Sequence, residues 1–351
     1  MRIAQIAPLA ESVPPRLYGG TERVVSYLTE ELVAMGHEVT LFASADSRTT
    51  ARLIPGCTEA LRLNANCRDP LAYHVAMFEK VWRMRDEFDV IHNHADYVPM
   101  MMLTRQSTPH LTTMHGRLDW PEYACVFSEF RNVPVVSIST AQRTPLTWLN
   151  WIGTVYHGLP TDLLLPTFRR GAYLVFLGRI SPEKGPDVAI RLAMRAGIPL
   201  KIAAKVDACD RPFFESVIKP LCVPPQVEYL GEINEAEKAQ LLGGAHALLF
   251  PIDWPEPFGM VMIEAMACGT PVVAFRRGSV PEILESGVTG FIVESEFEAL
   301  AAIHLAGSLD RRRIRQEFER RFTSRRMAVD YLKLYEFLAE SKTSPLAAAG
   351  D

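Results

Sequence analysis

Short apolar runs recur along the chain, each closing on glycine or a polar residue, with helical spacing between them. RIAQIAP (2–8) reads as a buried strand. LYGGTERVVSYLTEELVAMGHEVTLFAS (17–44) reads as a glycine loop, a helix capped at Thr21 and stopped at Gly36, and a second strand. FDVIHNH (88–94), HLTTMHG (110–116) and VPVVSIS (133–139) continue the series. Strands alternating with helical patterns predict βαβ units and a parallel sheet.

The pattern breaks at VYHGLPTDLLLPTFRRG (155–171), which is rich in proline and turn residues. It restarts with AYLVFLGR (172–179), PLKIAAK (199–205), QVEYLGEI (226–233), AHALLFPI (245–252), TPVVAF (270–275) and GFIVE (290–294). The reading is two doubly wound α/β domains in series, 1–160 and 161–322, then a C-terminal helix and tail over 323–351 able to pack back on the first domain. A chain of 351 residues, 48% hydrophobic, has the material for two cores. Open parallel sheets bind ligands at the carboxyl ends of their strands, so the polar strand ends are expected to line a cleft between the domains.

Composition narrows the picture by exclusion. The formal charge of −4 is spread evenly along the chain, without the basic excess of a nucleic-acid binder. Cysteines 57, 67, 125, 209, 222 and 268 form no C-x-x-C pair, which argues against a zinc ribbon or redox motif and fits a reducing compartment. MRIAQIAPLA lacks the pattern of a signal peptide, and the longest apolar runs are too short to cross a bilayer, so a cytoplasmic location is expected. RRRIRQEFERRF (311–322) is interrupted by Glu317 and Glu319 and reads as a solvated helix rather than a peripheral membrane contact. His92-Asn93-His94 with Asp96 has the spacing of a metal cluster, but at a parallel strand's end it is assigned to the cleft lining, and no metal is expected.

Two stretches carry candidate chemistry. In WPEPFGMVMIEAMACGTPVV (254–273) a helix is expected to start near Phe258-Gly259 and stop at Gly269. Glycine there admits a ligand to the backbone, and the N–H groups of Gly259, Met260 and Val261 make an anion seat. Glu256 precedes that seat, and Glu264 lies about 7.5 Å further along the helix at 1.5 Å per residue. Two hydroxyl acceptors flanking an anion seat suit a sugar, a diphosphate and a ribose laid end to end. In LGRISPEKG (177–185), Arg179 and Lys184 follow a strand ending at Leu177 and could hold a diphosphate. The plainer alternatives are a capped surface helix with solvated glutamates and a solvated, capped loop.

G-R-x-x-x-x-K-G at 178–185, followed by E-P-F-G-x-x-x-x-E-A-M-A-x-G-x-P-V at 256–272, resembles the retaining family-four nucleotide-sugar glycosyltransferases of GT-B architecture. That architecture sets two Rossmann-like doubly wound parallel-sheet domains facing across a cleft. LYGGTERVV (17–25), His115-Gly116, YHGLP (156–160) and GSVPEILESGVTGFIV (278–293) match further family segments in order. The resemblance implies that Arg179 and Lys184 bind the donor diphosphate, Glu264 the ribose and Glu256 the donor sugar, with backbone contacts from Phe258, Gly259, Met260 and Val261. It places Gly19 and Gly20 against the phosphates or sugar, His115 against the transferred sugar, and Gly231, Glu232 and Ile233 at the nucleobase. A UDP-sugar is the favoured donor, with GDP- or ADP-sugars also compatible. The acceptor is a hydroxyl of unknown identity, and no cofactor or metal is implied. His157 replaces the family's usual asparagine, and Trp254 sits in a lengthened loop that could reshape sugar recognition. A nucleotide-sugar epimerase or hydrolase, or a non-catalytic binder, is the alternative on the same architecture. For His115 the alternative is a structural histidine at a strand end.

Overall fold

In the computed structural model, which describes residues 1–16, 19–62 and 64–343 (the last three without their side chains), the apolar runs form two parallel sheets. Leu17 and Tyr18 of the glycine loop, Leu63, and residues 344–351 of the tail lie outside the described residues. Residues up to Gly158, joined by the helix Ser324–Thr343, form one compact unit, and Leu159–Thr323 form the other.

The first unit holds β1 (Arg2–Ile6), β2 (Glu38–Ser44), β3 (Arg52–Cys57), β4 (Val90–Asn93), β5 (His110–Thr113), β6 (Val135–Ser137) and β7 (Trp151–Thr154) in the order β3-β2-β1-β4-β5-β6-β7. The second holds β8 (Tyr173–Arg179), β9 (Leu200–Lys205), β10 (Val227–Gly231), β11 (Ala245–Phe250), β12 (Val272–Phe275) and β13 (Gly290–Val293) in the order β10-β9-β8-β11-β12-β13. Central strands are buried on both faces, as in the six buried residues of β11, which is why they read as continuous apolar runs. The edge strands β3 and β7 escape that signal. Both are largely half-exposed, and Pro55 removes a backbone donor from β3, which an edge tolerates.

Thr21 does not cap the first long helix. The helix Gly20–Ala34 takes Gly19 as its cap, without a side-chain bond, and Thr21 lies inside the first turn. The helix Ser324–Thr343 buries Met327, Ala328, Tyr331 and Tyr335, a stripe at helical spacing, against the helix Gly20–Ala34 and β4.

The basic run at 311–322 is solvated on one side only, where Arg312, Arg313, Glu319 and Arg320 are exposed. In the helix Arg311–Arg321, Arg311 and Arg315 are each 8% exposed. Arg311 donates to the carbonyls of Thr167 (2.7 Å), Ala245 (2.9 Å) and Gly243 (2.9 Å) and to Thr270 Oγ1 (2.6 Å). Arg315 donates to the carbonyls of Leu164 (2.9 Å), Ala267 (2.7 Å) and Thr161 (2.6 Å). Gly243 and Ala267 end helices, whose last carbonyls have no partner within the helix, and a guanidinium fork satisfies several at once. Arg311→Ala is expected to leave these buried acceptors unpaired and to cost about 3 kcal/mol in urea unfolding of the second unit. Arg311→Lys should recover less than half, since an ammonium cannot reproduce the fork.

Candidate active site

In the second unit the strand order reverses between β8 and β11, and the loops after these two strands carry the candidate residues. β8 does not end at Leu177. It continues through Arg179, which pairs with Lys205 of β9, so this arginine stands on a strand rather than a loop. Its guanidinium reaches Glu183 at 2.6 Å, Asp210 at 3.8 Å and Asp207 at 3.9 Å. Burial pulls the Glu183 carboxyl upward, but its own N–H, Ser181 and Arg179 outweigh that and hold it below its ordinary value. Lys184 follows in a single turn, Pro182–Lys184. Its ammonium pairs with the Glu256 carboxylate and lies 4.8 Å from the centre of the Trp254 ring.

The loop bearing Glu256 is held by its backbone. Asp253 N–H donates to the Glu183 carbonyl at 2.8 Å, tying this loop to the one after β8. Ser279 N–H donates to the Glu256 carbonyl at 3.0 Å, and Ser279 Oγ to the Phe258 carbonyl at 2.8 Å. Gly278, with φ of 50°, lies so close that a Cβ would collide with the Glu256 backbone. The helix Met260–Ala267 then starts from Gly259, in the left-handed region at φ 76°. Its first N–H groups have no partner within the helix and carry the positive end of the helix dipole. Glu264 is 4% exposed and accepts from Lys238 Nζ at 2.7 Å. Lys238 was not foreseen, because its helix, Glu235–Gly243, signals only a capping box and an i,i+3 pair with Glu235.

The structure therefore places Glu256, Phe258 to Val261 and Glu264 on one loop and helix, and brings Lys184 to them from the turn after β8, with Arg179 at the end of that strand. Gly231 ends β10 with φ of 76°, and Glu232 and Ile233 follow it, two strands over from β8.

In the first unit the order reverses between β1 and β4. Gly19, buried, and Gly20, exposed, open the helix after β1. His115 stands just beyond β5, with Nε2 2.8 Å from His94 Nδ1 and its ring stacked on His157 at 5.3 Å. His92 and His94 do not line an exposed surface: they are 0% and 1% exposed. His92 bonds Tyr335 and Thr113 at 2.7 Å each, and His94 bonds Gln5 at 2.7 Å and His115, so every ring nitrogen of this pair already has a protein partner. Burial, then neighbouring imidazoles, holds His92, His94 and His157 well below the usual histidine range, and burial alone takes His115 down to about 3.

Residues 166–321 match the family model for glycosyl transferases group 1, and residues 18–153 that for Glycosyltransferase Family 4. The chain belongs to the family-four glycosyltransferases. Solved structures with the same GT-B fold include sucrose-phosphate synthase from Thermosynechococcus elongatus, with TM-score 0.78, 21% identity, and 97% and 99% of the two chains covered. AviGT4, a glycosyltransferase involved in avilamycin A biosynthesis, aligns with TM-score 0.74 and 21% identity over 97% of this chain and 98% of that one. Anabaena HepE in complex with UDP and glucose aligns with TM-score 0.73 and 18% identity over 96% and 99%. The D-inositol 3-phosphate glycosyltransferase of Mycobacterium tuberculosis is 30% identical over 157 residues. That match covers 40% of this chain and 32% of the relative's length.

Two outcomes follow for this family-four chain. Gly259→Ala should lower the stability of the second unit by about 1–3 kcal/mol in urea unfolding, because a Cβ there meets Met262 Cε at 2.8 Å and the Phe250 ring at 3.1 Å, at a φ that L-residues avoid. The second concerns pH. The four histidines are neutral when folded and protonate near pH 6.5 when unfolded, so the unfolded state binds more protons below that value. Their stabilisation is whole above about pH 6.5 and lost as pH falls, at up to about 1.4 kcal/mol per pH unit for each. Urea unfolding of the first unit at pH 7.5, 6.5 and 5.5 should show this fall, and His157→Asn should make it shallower.

Proposed function

We propose that this chain transfers a sugar from a UDP-sugar to a hydroxyl acceptor with retention of anomeric configuration. The observation that carries the reading is the Lys184–Glu256 pair beside a glycine-opened helix start, with Glu264 further along the same helix. Cation, free amides and two carboxylates in that sequence match the parts of a nucleotide sugar. The choice of UDP is supported by Anabaena HepE, a neighbour of the same fold solved with UDP and with UDP-glucose.

In this reading the diphosphate takes Lys184 from Glu256 and Arg179 from Glu183, and its oxygens accept from the amides of residues 259–261. Glu256, released, accepts from hydroxyls of the sugar, and Glu264 from the ribose. The bond between the anomeric carbon and the phosphate oxygen breaks with oxocarbenium character while the acceptor oxygen bonds to the same face of that carbon. The acceptor's proton passes to the departing phosphate. The protein contributes position and charge, so no divalent ion is needed. His115 is assigned to the transferred sugar. The free thiols of the described cysteines suit work in the cytoplasm.

Incubation with labelled UDP-glucose and a panel of polyol and sugar-phosphate acceptors tests the proposal. A transferred, α-configured product that forms undiminished in EDTA is expected. Free glucose alone would indicate a hydrolase, an isomerised sugar an epimerase, and binding without turnover a binder; loss in EDTA restored by magnesium would overturn metal independence. The two carboxylates should separate kinetically. Glu264→Gln is expected to raise donor KM and weaken UDP binding, because the ribose is held equally in ground and transition states. Glu256→Gln should lower kcat about a hundredfold, on the order of 3 kcal/mol, while UDP still binds.

A further inference from the structure

The strongest unexplained feature is a buried polar chain in the first unit that begins on the helix Ser324–Thr343 and ends at His115. Gln5, Thr113, Tyr331 and Tyr335 are all 0% exposed. Gln5 Nε2 donates to the Tyr335 hydroxyl at 3.1 Å, and Gln5 Oε1 lies 2.7 Å from His94 Nε2. A carbonyl oxygen can only accept, so His94 carries its proton on Nε2. A neutral imidazole has one such proton, which leaves His94 Nδ1 bare. That atom, 2.8 Å from His115 Nε2, must accept in turn, so His115 also carries its proton on Nε2. The remaining nitrogen, His115 Nδ1, is buried and has no hydrogen-bond partner among the described residues.

The other arm agrees with this direction. The Tyr335 hydroxyl, accepting from Gln5, is free to donate to His92 Nδ1 at 2.7 Å. His92 then donates from Nε2 to Thr113 Oγ1 at 2.7 Å, which in turn meets the Tyr331 hydroxyl at 2.9 Å. One amide orientation fixes the imidazole protons along the chain, and turning the Gln5 amide over would reverse them. Burial keeps the imidazoles neutral, so the question is which nitrogen holds the proton rather than how many are bound.

We propose that Gln5 and His94 are positioning residues that fix His115 as the Nε2–H tautomer, leaving Nδ1 as a hydrogen-bond acceptor for a hydroxyl of the transferred sugar. The final clause rests on the function proposed above; the tautomer does not. At this point the site would select a donor sugar that offers an O–H, and would disfavour a deoxy or keto sugar there.

The test is long-range proton–nitrogen NMR on the full chain with labelled histidine at pH 7.5, without ligand, assigned through His94→Asn and His115→Asn. Nε2–H tautomers at both His94 and His115 are expected; Nδ1–H at His115 would overturn the proposal. Gln5→Met removes the acceptor, and should mix the His115 tautomers and lower kcat about tenfold, the scale of one hydrogen bond, with UDP affinity unchanged. Gln5→Glu still accepts from His94, and should restore the Nε2–H form and most of kcat. Equal loss in both variants with an unmoved tautomer would also overturn it. Should neither variant fold, the wild-type spectrum decides alone. Full transfer by His115→Asn would remove the sugar contact while leaving the tautomer result standing.

Discussion

The candidate donor site depends on one close approach: the backbone of Glu256 lying against Gly278. Three loops meet there, one after β8, one after β11 and one after β12, and main-chain bonds from Asp253 and Ser279 join them. Side chains on such loops would ordinarily wander. Here the backbone beneath Glu256 and Lys184 is fixed before either charge is placed, so their pairing loses little further freedom. Position on a rigid support is most of what transfer chemistry asks of a protein. From behind, Arg311 and Arg315 hold the ends of the helices Glu235–Gly243 and Met260–Ala267.

The same loops carry buried charge that adds little to stability. Lys184 with Glu256, and Lys238 with Glu264, are ion pairs with little solvent access. Taking both charges out of water costs about as much as their attraction returns, so a well-packed apolar pair would hold the fold as well. In the proposed function their use lies in exchange: a phosphate that replaces Glu256 on Lys184 would meet a cation already desolvated and aimed, and would free a carboxylate for the next group along the ligand.

Much of this was legible in the residues. Continuous apolar runs gave the central strands because both faces of a parallel sheet are covered, and the glycines and prolines of 254–259 marked the loop and helix start. What escaped had physical reasons. β3 and β7 are half-exposed edges without an apolar run. Arg311 and Arg315 read as solvated because their acceptors are mostly carbonyls scattered from Thr161 to Ala267, and a sequence does not show which carbonyls lack partners. Lys238 and Gln5 were invisible for a similar reason: each is paired with a residue distant in the chain, Glu264 and His94 respectively.

The first unit is discontinuous in sequence, and that has a consequence for biosynthesis. Its sheet is complete by Thr154, yet Tyr331 and Tyr335, which cover β4, come about 180 residues later, and Tyr335 supplies the hydrogen-bond partner of His92 Nδ1. The second unit is one unbroken stretch between them. On the ribosome, the half that emerges first is therefore the half that finishes last. Until the helix Ser324–Thr343 arrives, a seam of unpaired imidazole and amide groups stays open to water, and to chaperones that recognise unfinished surfaces.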